Sequence, residues 1–567
     1  MSKTRRILAL LLVCLMVVSI TACGKDAANN NTGTNSPAST GGGNTGGGGN
    51  ASTDSGGSGN SGNSSDSNST GSGGGASNAR DTLNIAIAMD PGTLSPVATG
   101  GEIMTVLHLL LEPLWDVDSN QNISWLLATN VDEVAPDNWI VHLREGVTFS
   151  NGNPFTTEDI LFSIQLYKNA GATGGPRVQS VDAEATKAID DHTLDLRFLD
   201  FHVSNWTILS DFVIYDAESY DAEKISIEPV GTGPYVLSEY VVNSHTFLER
   251  REDYWGEKPE TKNLKFRMLS ETSQVVNSLE TGAIDIGAVA TQDYNYVNGL
   301  SAFNLKSYNR ALWTELRFNA ADKSIFNHNY EARLAVCHAI DRQAIIDLVY
   351  EGHAVIMNSA VPPYVFDHEA RFDNMHEIYS VGYNVELAKK YAESSGLVGK
   401  DVVIITSGSA PHVQIAEIMQ SMLNAIGVNL IINNYDGATV SQMMGDLEST
   451  YGLVLVGAFC PNLRVADPLV NGVRYSTVLS KPNAWDVTDK GVEYYLDLAP
   501  KALSTPDAQE RSDITYEVLG MFINQIFGYP ICDITYTTAF TSDLDINSAK
   551  IKVSTGTLMV RDLKWAK

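Results

Sequence analysis

The chain has 567 residues, a formal charge of −29 and 43% hydrophobic residues, so it is long enough for two or more domains and rich enough in apolar residues to fold. An acid excess of this size argues against nucleic acid as a partner, because phosphate binding needs clustered Lys and Arg. It equally disfavours broad adhesion to anionic lipid head groups.

Lys3, Arg5 and Arg6 open the chain, an apolar run from Ile7 to Ile20 follows, and small residues lead into Cys23 in Ile20-Thr21-Ala22-Cys23-Gly24. The run is too short for a stable membrane span, which takes about 20 residues. The layout reads as a signal peptide, 1–22, with a small-residue cleavage site. Its end resembles the lipobox of bacterial lipoproteins, which implies that Cys23 becomes the acylated first residue. Several acyl chains on one cysteine anchor stably where one does not. Loss of the leader removes three positive charges and leaves the mature chain more acidic still. From about Ala27 to Ala79 the sequence is nearly all Gly, Ser, Asn and Thr. It has nothing to bury and so cannot offset the entropy of ordering. We read 23–80 as the lipidated cysteine and a flexible tether of about 53 residues, with an r.m.s. span of roughly 40 Å.

Leu83, Ile85 and Ile87 alternate in a predicted strand that ends at the turn Asp90-Pro91-Gly92. Glu102 to Trp115 has a helical apolar pattern through Met104, Leu107, Leu110 and Leu111. Trp139 to Leu143 reads as a strand, and Asn151-Gly152 as a tight turn after Phe149. Thr156 precedes Glu158-Asp159, acids suited to a helix's first turn. Thr193 to Phe198 alternates again. Tyr330 to Tyr350 and Val413 to Ile426 are helical by period, the second closing at Gly427, and Val428 to Ile432 resumes as a strand. Strands alternating with helices of this length predict α/β layers with a largely parallel sheet, in more than one lobe.

No recognisable catalytic motif occurs: there is no G-x-x-x-x-G-K-[ST], H-E-x-x-H or G-x-S-x-G. Cys337, Cys460 and Cys532 are far apart and lack C-x-x-C spacing, which predicts buried small hydrophobes and neither a disulfide framework nor a zinc site. His338 and His353 are too widely spaced for a helical metal pair. These patterns favour binding over catalysis, with no cofactor and no metal expected.

Six segments, in order, carry a specific resemblance. They are Leu143-Arg144-Glu145-Gly146-Val147-Thr148-Phe149 with its continuation through Ile160, then Pro229 to Tyr235, Asp253-Tyr254-Trp255-Gly256, Gly282-Ala283-Ile284-Asp285-Ile286, Ala339-Ile340-Asp341-Arg342-Gln343, and Ala416-Glu417 through Val428. Together they resemble the extracytoplasmic solute-binding proteins of peptide and nickel ABC transporters, bacterial family 5. The resemblance implies an α/β, periplasmic-binding-protein-like clamshell of two lobes (type II, cluster C) with an extra inserted small domain. Lobe I would comprise 81–114, 226–306 and 536–567, the inserted domain 115–225, and lobe II 307–535. It further implies a peptide or other small polar solute in the inter-lobe cleft, closure around it, and delivery to an ABC permease with its own ATPases. The chain would be a monomer, touching the membrane through its lipid alone, on the cell surface of a Gram-positive bacterium. A sensory receptor for a peptide signal, a binder of sugar or metal chelate, and an exported hydrolase are the competing readings.

In peptide-binding relatives an aspartate three residues before an acidic-proline pair holds the ligand's ammonium. Here the pair is Asp467-Pro468, and Arg464 stands three residues earlier. An arginine can clamp a carboxylate or phosphate but cannot pair with an ammonium. Asp467 is then the candidate for an ammonium, or Arg464 for an anion, beside Asn462 in the unusual run Phe459-Cys460-Pro461-Asn462-Leu463. Trp313 and Phe459 are candidate pocket aromatics, whereas Phe318, alternating with Leu316, reads as core. Glu102, after Gly100-Gly101, is a candidate acceptor for a ligand amine.

Overall fold

The computed structural model describes residues 80–92, 95, 101–171, 175–460, 462–474, 476–487, 490–552 and 556–566. Cys23, the leader and the tether lie outside the described residues. Residues Ser77–Lys567 form one compact unit.

The first strand, β1 (Thr82–Ile87), buries Leu83, Ile85 and Ile87 at its alternate positions. The turn after it closes on Asp90, whose carboxylate accepts the Gly92 N–H at 2.7 Å, with Gly92 at φ +68°. The following helix spans Gly101–Leu110, shorter than its apolar pattern. Trp115 instead starts β2 (Trp115–Val117), which pairs antiparallel with β3 (Ile123–Trp125). The apolar run continues because residues 111–117 are also buried in the core, which a periodicity reading counts as helix.

A separate antiparallel sheet, ordered β4-β5-β7-β6, is built from β4 (Ala128–Ala135), β5 (Asn138–Leu143), β6 (Lys187–Asp190) and β7 (Thr193–Arg197). Between β5 and β6 the Asn151-Gly152 turn falls as expected, with Gly152 at φ +93°. Thr156 then caps the helix Thr157–Asn169 in a full capping box with Asp159. Against the sheet, Trp115, Trp125, Trp139 and Trp206 form a contiguous ring cluster with centroids 4.7–6.2 Å apart.

The main sheet takes in β8 (Tyr235–Val241), β9 (His245–Arg250), β10 (Asn263–Met268), β11 (Ile286–Val289), β12 (Phe303–Phe318), β13 (Ala354–Val355), β14 (Asp401–Thr406), β15 (Asn429–Asn434), β16 (Leu453–Phe459) and β17 (Gly528–Thr541). Its order is β15-β14-β16-β12-β17-β11-β1-β10-β9-β8, with β13 on the side of β17. The expected largely parallel sheet is corrected here. Only β1 with β10 and β11, and β14 with β15 and β16, are parallel, and the remaining pairs are antiparallel. The parallel parts lie at two separate places and are joined by the long antiparallel ribbon β12–β17, whose partners are remote in sequence and so leave no local signal.

The ribbon changes register between Asn309 and Trp313. Ala311 sits there at φ +49°, a conformation L-residues adopt at a cost. Its N–H donates to the Tyr364 hydroxyl at 3.0 Å, and that hydroxyl donates to Asp533 Oδ1 at 3.1 Å. Burial pushes the Asp533 carboxyl up to about 7.

The predicted helix from Tyr330 to Tyr350 is two helices, Tyr330–Ala339 and Arg342–Val349, with Asp341 capping the second through the Ala344 N–H at 3.1 Å. The helix Ala410–Asn424 ends as expected at Gly427, φ +81°. Several of the resemblance motifs are contacts between backbones. An added Cβ at Gly231 or Gly233 would fall 2.2 Å from the Leu110 carbonyl oxygen or 2.4 Å from that of Leu109, so only glycine lets these chains touch. The buried Arg251 guanidinium donates to the carbonyls of Thr148, Phe149, Gly231 and Gly233. The C-terminal segment is tied back by Arg561, which pairs with Glu112 and Asp116, and by Lys552, which also pairs with Asp116.

Candidate functional site

A cavity of about 290 Å³ opens on one face of β12, beside the register change. Trp313, Glu315 and Arg317 alternate along the strand, so all three present to it, while Thr314, Leu316 and Phe318 are buried on the opposite face. The expectation that Phe318 is core therefore holds. Phe459, at the end of β16 and paired with Leu312, forms another wall and is 60% exposed. The helix Ala466–Arg474 contributes Asp467, and Phe522 adds a further aromatic. Every lining residue lies between Trp313 and Gly528.

Of the residues singled out in the sequence, Trp313, Phe459 and Asp467 meet at this cavity. Asn462 does not line it, but its side chain lowers the Asp467 carboxyl from nearby. Arg464 does not line it either: its guanidinium lies over the Phe366 ring, 5.3 Å from the centre. Glu102 falls in the first turn of the helix Gly101–Leu110, and its side chain lies outside the described residues.

The loop joining β16 to the helix explains where Arg464 goes. Leu463 stands at φ +50° and its carbonyl accepts the Phe366 N–H at 2.8 Å. Cys460 donates its thiol to the Arg464 carbonyl at 3.0 Å, and the Val465 N–H donates to Asp367 Oδ1 at 2.8 Å. This turn carries Arg464 toward the acids Asp367 and Asp467, which its charge stabilises in part. Burial, then the nearby Asp367, pushes the Asp467 carboxyl up to about 7, against a lowering pull from Asn462 and Arg464. One of its oxygens, Oδ2, is buried without a hydrogen bond among the described residues. The charge of Arg464 also reaches His202, which burial and then that charge lower to about 4. The same contact is closed by the Val203 N–H to the Leu503 carbonyl at 2.9 Å and by Arg511 over the Phe201 ring at 5.8 Å.

Glu315 and Arg317 are the residues that sequence reasoning missed. Glu315 is buried and accepts the Arg317 Nε–H at 2.8 Å. The signal was present in the strand Trp313-Thr314-Glu315-Leu316-Arg317, where charges alternate with apolar residues, but a solvated strand face gives the same pattern. All three described cysteines, Cys337, Cys460 and Cys532, are buried free thiols. Among the described residues no group of His, Cys, Asp and Glu is arranged to hold a metal, and no helix is long and apolar enough to cross a membrane.

The sequence is 24% identical over 404 residues to the oligopeptide-binding protein OppA of Bacillus subtilis, covering 63% of this chain and 71% of that one. Solved structures share its fold. The substrate-binding protein CtaP of Listeria monocytogenes superposes with a TM-score of 0.74 at 21% identity, covering 86% of this chain and 99% of that one. DppA of Helicobacter pylori, solved with the peptide STSA, gives 0.68 at 21% identity, with 86% and 98% covered. NikA of Brucella suis, solved with Fe(III)-EDTA, gives 0.73 at 17% identity, with 86% and 100% covered. The mixed α/β fold with one large sheet is thus that of these binding proteins. Residues 122–461, more than half of the chain, match the middle region described for one family, and with it the chain belongs to the bacterial extracellular solute-binding proteins, family 5.

Proposed function

We propose that this protein is a lipid-anchored receptor that captures a peptide or similar small polar solute outside the cell and hands it to an ABC importer. The observation that carries the reading is the cavity beside the register change in β12, where polar and aromatic side chains converge at the ribbon β12–β17. In this reading the ribbon is the double crossing between lobe I (81–114, 226–306 and 536–567) and lobe II (307–535), and the bulge at Ala311 is a hinge point. The four-stranded sheet β4-β5-β7-β6, made wholly from 128–197, supports an inserted small domain at 115–225. The contact of Phe201, His202 and Val203 with Arg464, Leu503 and Arg511 then bridges that domain and lobe II. A ligand that prefers the closed arrangement stabilises it by its difference in affinity for the two states.

Asp467 and Phe459 are the proposed ligand contacts, with Trp313 as the wall between them. Asn462 and Arg464 act behind Asp467. Cys23 supplies the membrane anchor and the Gly/Ser tether gives the receptor reach. The permease and its ATPases supply the energy, so the chain itself performs binding and no turnover.

Thermal shift of the purified protein against peptide, sugar and metal-chelate panels tests this, together with mass spectrometry of whatever co-purifies. Stabilisation by peptides is expected. An unchanged melting midpoint across every panel, with nothing bound on purification, would overturn the reading.

A further inference from the structure

The cavity wall formed by β12 carries one cation with unused donors. Arg317 is partly exposed, with 39% of its side chain accessible. Its Nε–H is engaged by Glu315, and among the described residues its two terminal nitrogens make no hydrogen bond. Glu315 is closely confined. Its side chain is 6% exposed, and the strand opposite places Gly528 where an added Cβ would lie 2.1 Å from Glu315 Oε1. Only glycine at that point of β17 leaves room for the carboxylate. A buried acid thus orients an arginine at the edge of a cavity and leaves the outer edge of its planar fork open.

The rest of the lining suits the same ligand group. The other carboxyl in the cavity, Asp467, is held toward its protonated form by burial and by Asp367, so it opposes an anion weakly at or below neutral pH. Phe459 is exposed at the cavity rim and offers a flat apolar surface beside the cation. Arg464, the arginine that the sequence puts forward as an anion clamp, does not line the cavity and lies over Phe366.

We infer that Arg317 forms a carboxylate-binding subsite in this cavity, oriented by Glu315 and admitted by Gly528, which selects ligands carrying an acidic group next to an apolar or aromatic one. The inference rests on the cavity's being the ligand site proposed above. The carboxylate comes either from a chain terminus or from an acidic side chain, since a planar bidentate fork recognises both alike.

The test is calorimetric titration of the full chain with N-acetylphenylalanine, which carries ring and carboxylate, and with N-acetylphenylalaninamide, which lacks the charge. The acid should bind about tenfold or more tightly than the amide, the usual scale for a charge-assisted hydrogen bond. Arg317→Gln should bring that ratio to about one, Arg317→Lys should keep part of it, and Arg197→Gln, on the small antiparallel sheet, should leave it unchanged. Thermal midpoints check that the variants are folded. A second pair, phenylalanyl-glutamate and phenylalanyl-glutamine, each N-acetylated and C-amidated, separates the sources. Preference for the glutamate member assigns an acidic side chain, and preference confined to N-acetylphenylalanine assigns a terminus. A wild-type ratio of one in both pairs, an undiminished ratio in Arg317→Gln, or failure of every probe to bind overturns the subsite. The peptide panel keeps the two readings apart: stabilisation by peptides without an acid preference removes the subsite alone. An acid preference with no peptide stabilising the protein keeps the subsite and removes the peptide reading.

Discussion

Asp467 offers the sharpest check on how this cavity is built. Burial and the neighbouring Asp367 push its carboxyl from the ordinary 3.8 to about 7. A carboxyl raised in the folded state favours folding while it is protonated. Its contribution is therefore fully present below the unfolded value near 4 and is lost as pH rises through about 7. Each pKa unit is worth about 1.36 kcal/mol, so the full penalty for ionising Asp467 is on the order of 4 kcal/mol as an upper bound. Asn462 and Arg464 reduce it. Asp467→Asn keeps the shape and removes the ionisation, so the variant should gain stability relative to the wild type between pH 5 and pH 8.5. For a folded part of about 490 residues, at roughly 2.1 cal/mol/K each, the unfolding entropy is about 1 kcal/mol/K. More than a third of the penalty is already present at pH 5, so the difference in melting midpoint should grow by about 2–3 °C across that range. Scanning calorimetry of both proteins at four or five pH values reads it directly. Parallel midpoint curves, with a constant offset from pH 5 to pH 8.5, would refute the claim that Asp467 is buried beside a second acid.

Other perturbations address separate parts of the molecule. Gly528→Ala places a methyl group against Glu315 Oε1 and should cost about 1–3 kcal/mol, read as a lower melting midpoint. Combining it with Glu315→Ala should recover part of that loss, and additive losses would place the strain elsewhere. His202 is buried and held near 4 by burial and by Arg464. A base lowered in this way stabilises the fold above its ordinary value near 6.5 and loses that contribution as pH falls toward 4. The wild type should therefore lose midpoint between pH 6.5 and pH 4 more steeply than His202→Gln, as differential scanning fluorimetry would show. Cys23→Ala should move the protein from the membrane fraction to the medium while leaving ligand binding intact, checked by fractionation and by calorimetry of the released protein.

Much of the framework is legible in local sequence. β1 follows from three apolar residues at alternate positions, the helix at Thr157 from a threonine and an aspartate at capping-box spacing, and the end of the helix at Asn424 from Gly427. Each depends on interactions within a few residues, and these survive whatever the rest of the chain does. The family was legible too, because its motifs record backbone contacts such as Gly231 and Gly233 against the carbonyls of Leu110 and Leu109. The sequence by itself thus determined many of the elements, the fold class and the family.

Only the tertiary structure decided the sheet's mixed sense and the layout of the cavity. Phe303 to Phe318 and Gly528 to Thr541 are separated by some two hundred residues, and their antiparallel pairing joins the parts of the sheet that hold the two parallel stretches. No periodicity announces such a partner. Arg464 illustrates the same limit: its neighbours in sequence put it forward as a clamp, yet the positive φ at Leu463 and the pull of Asp367 take it to Phe366. Arg317 looked like one charge on a strand until Gly528, far along the chain, left the space that lets Glu315 orient it. Local spacing sets which face of a strand a side chain occupies. What it meets there depends on long-range packing, which no short window of sequence contains.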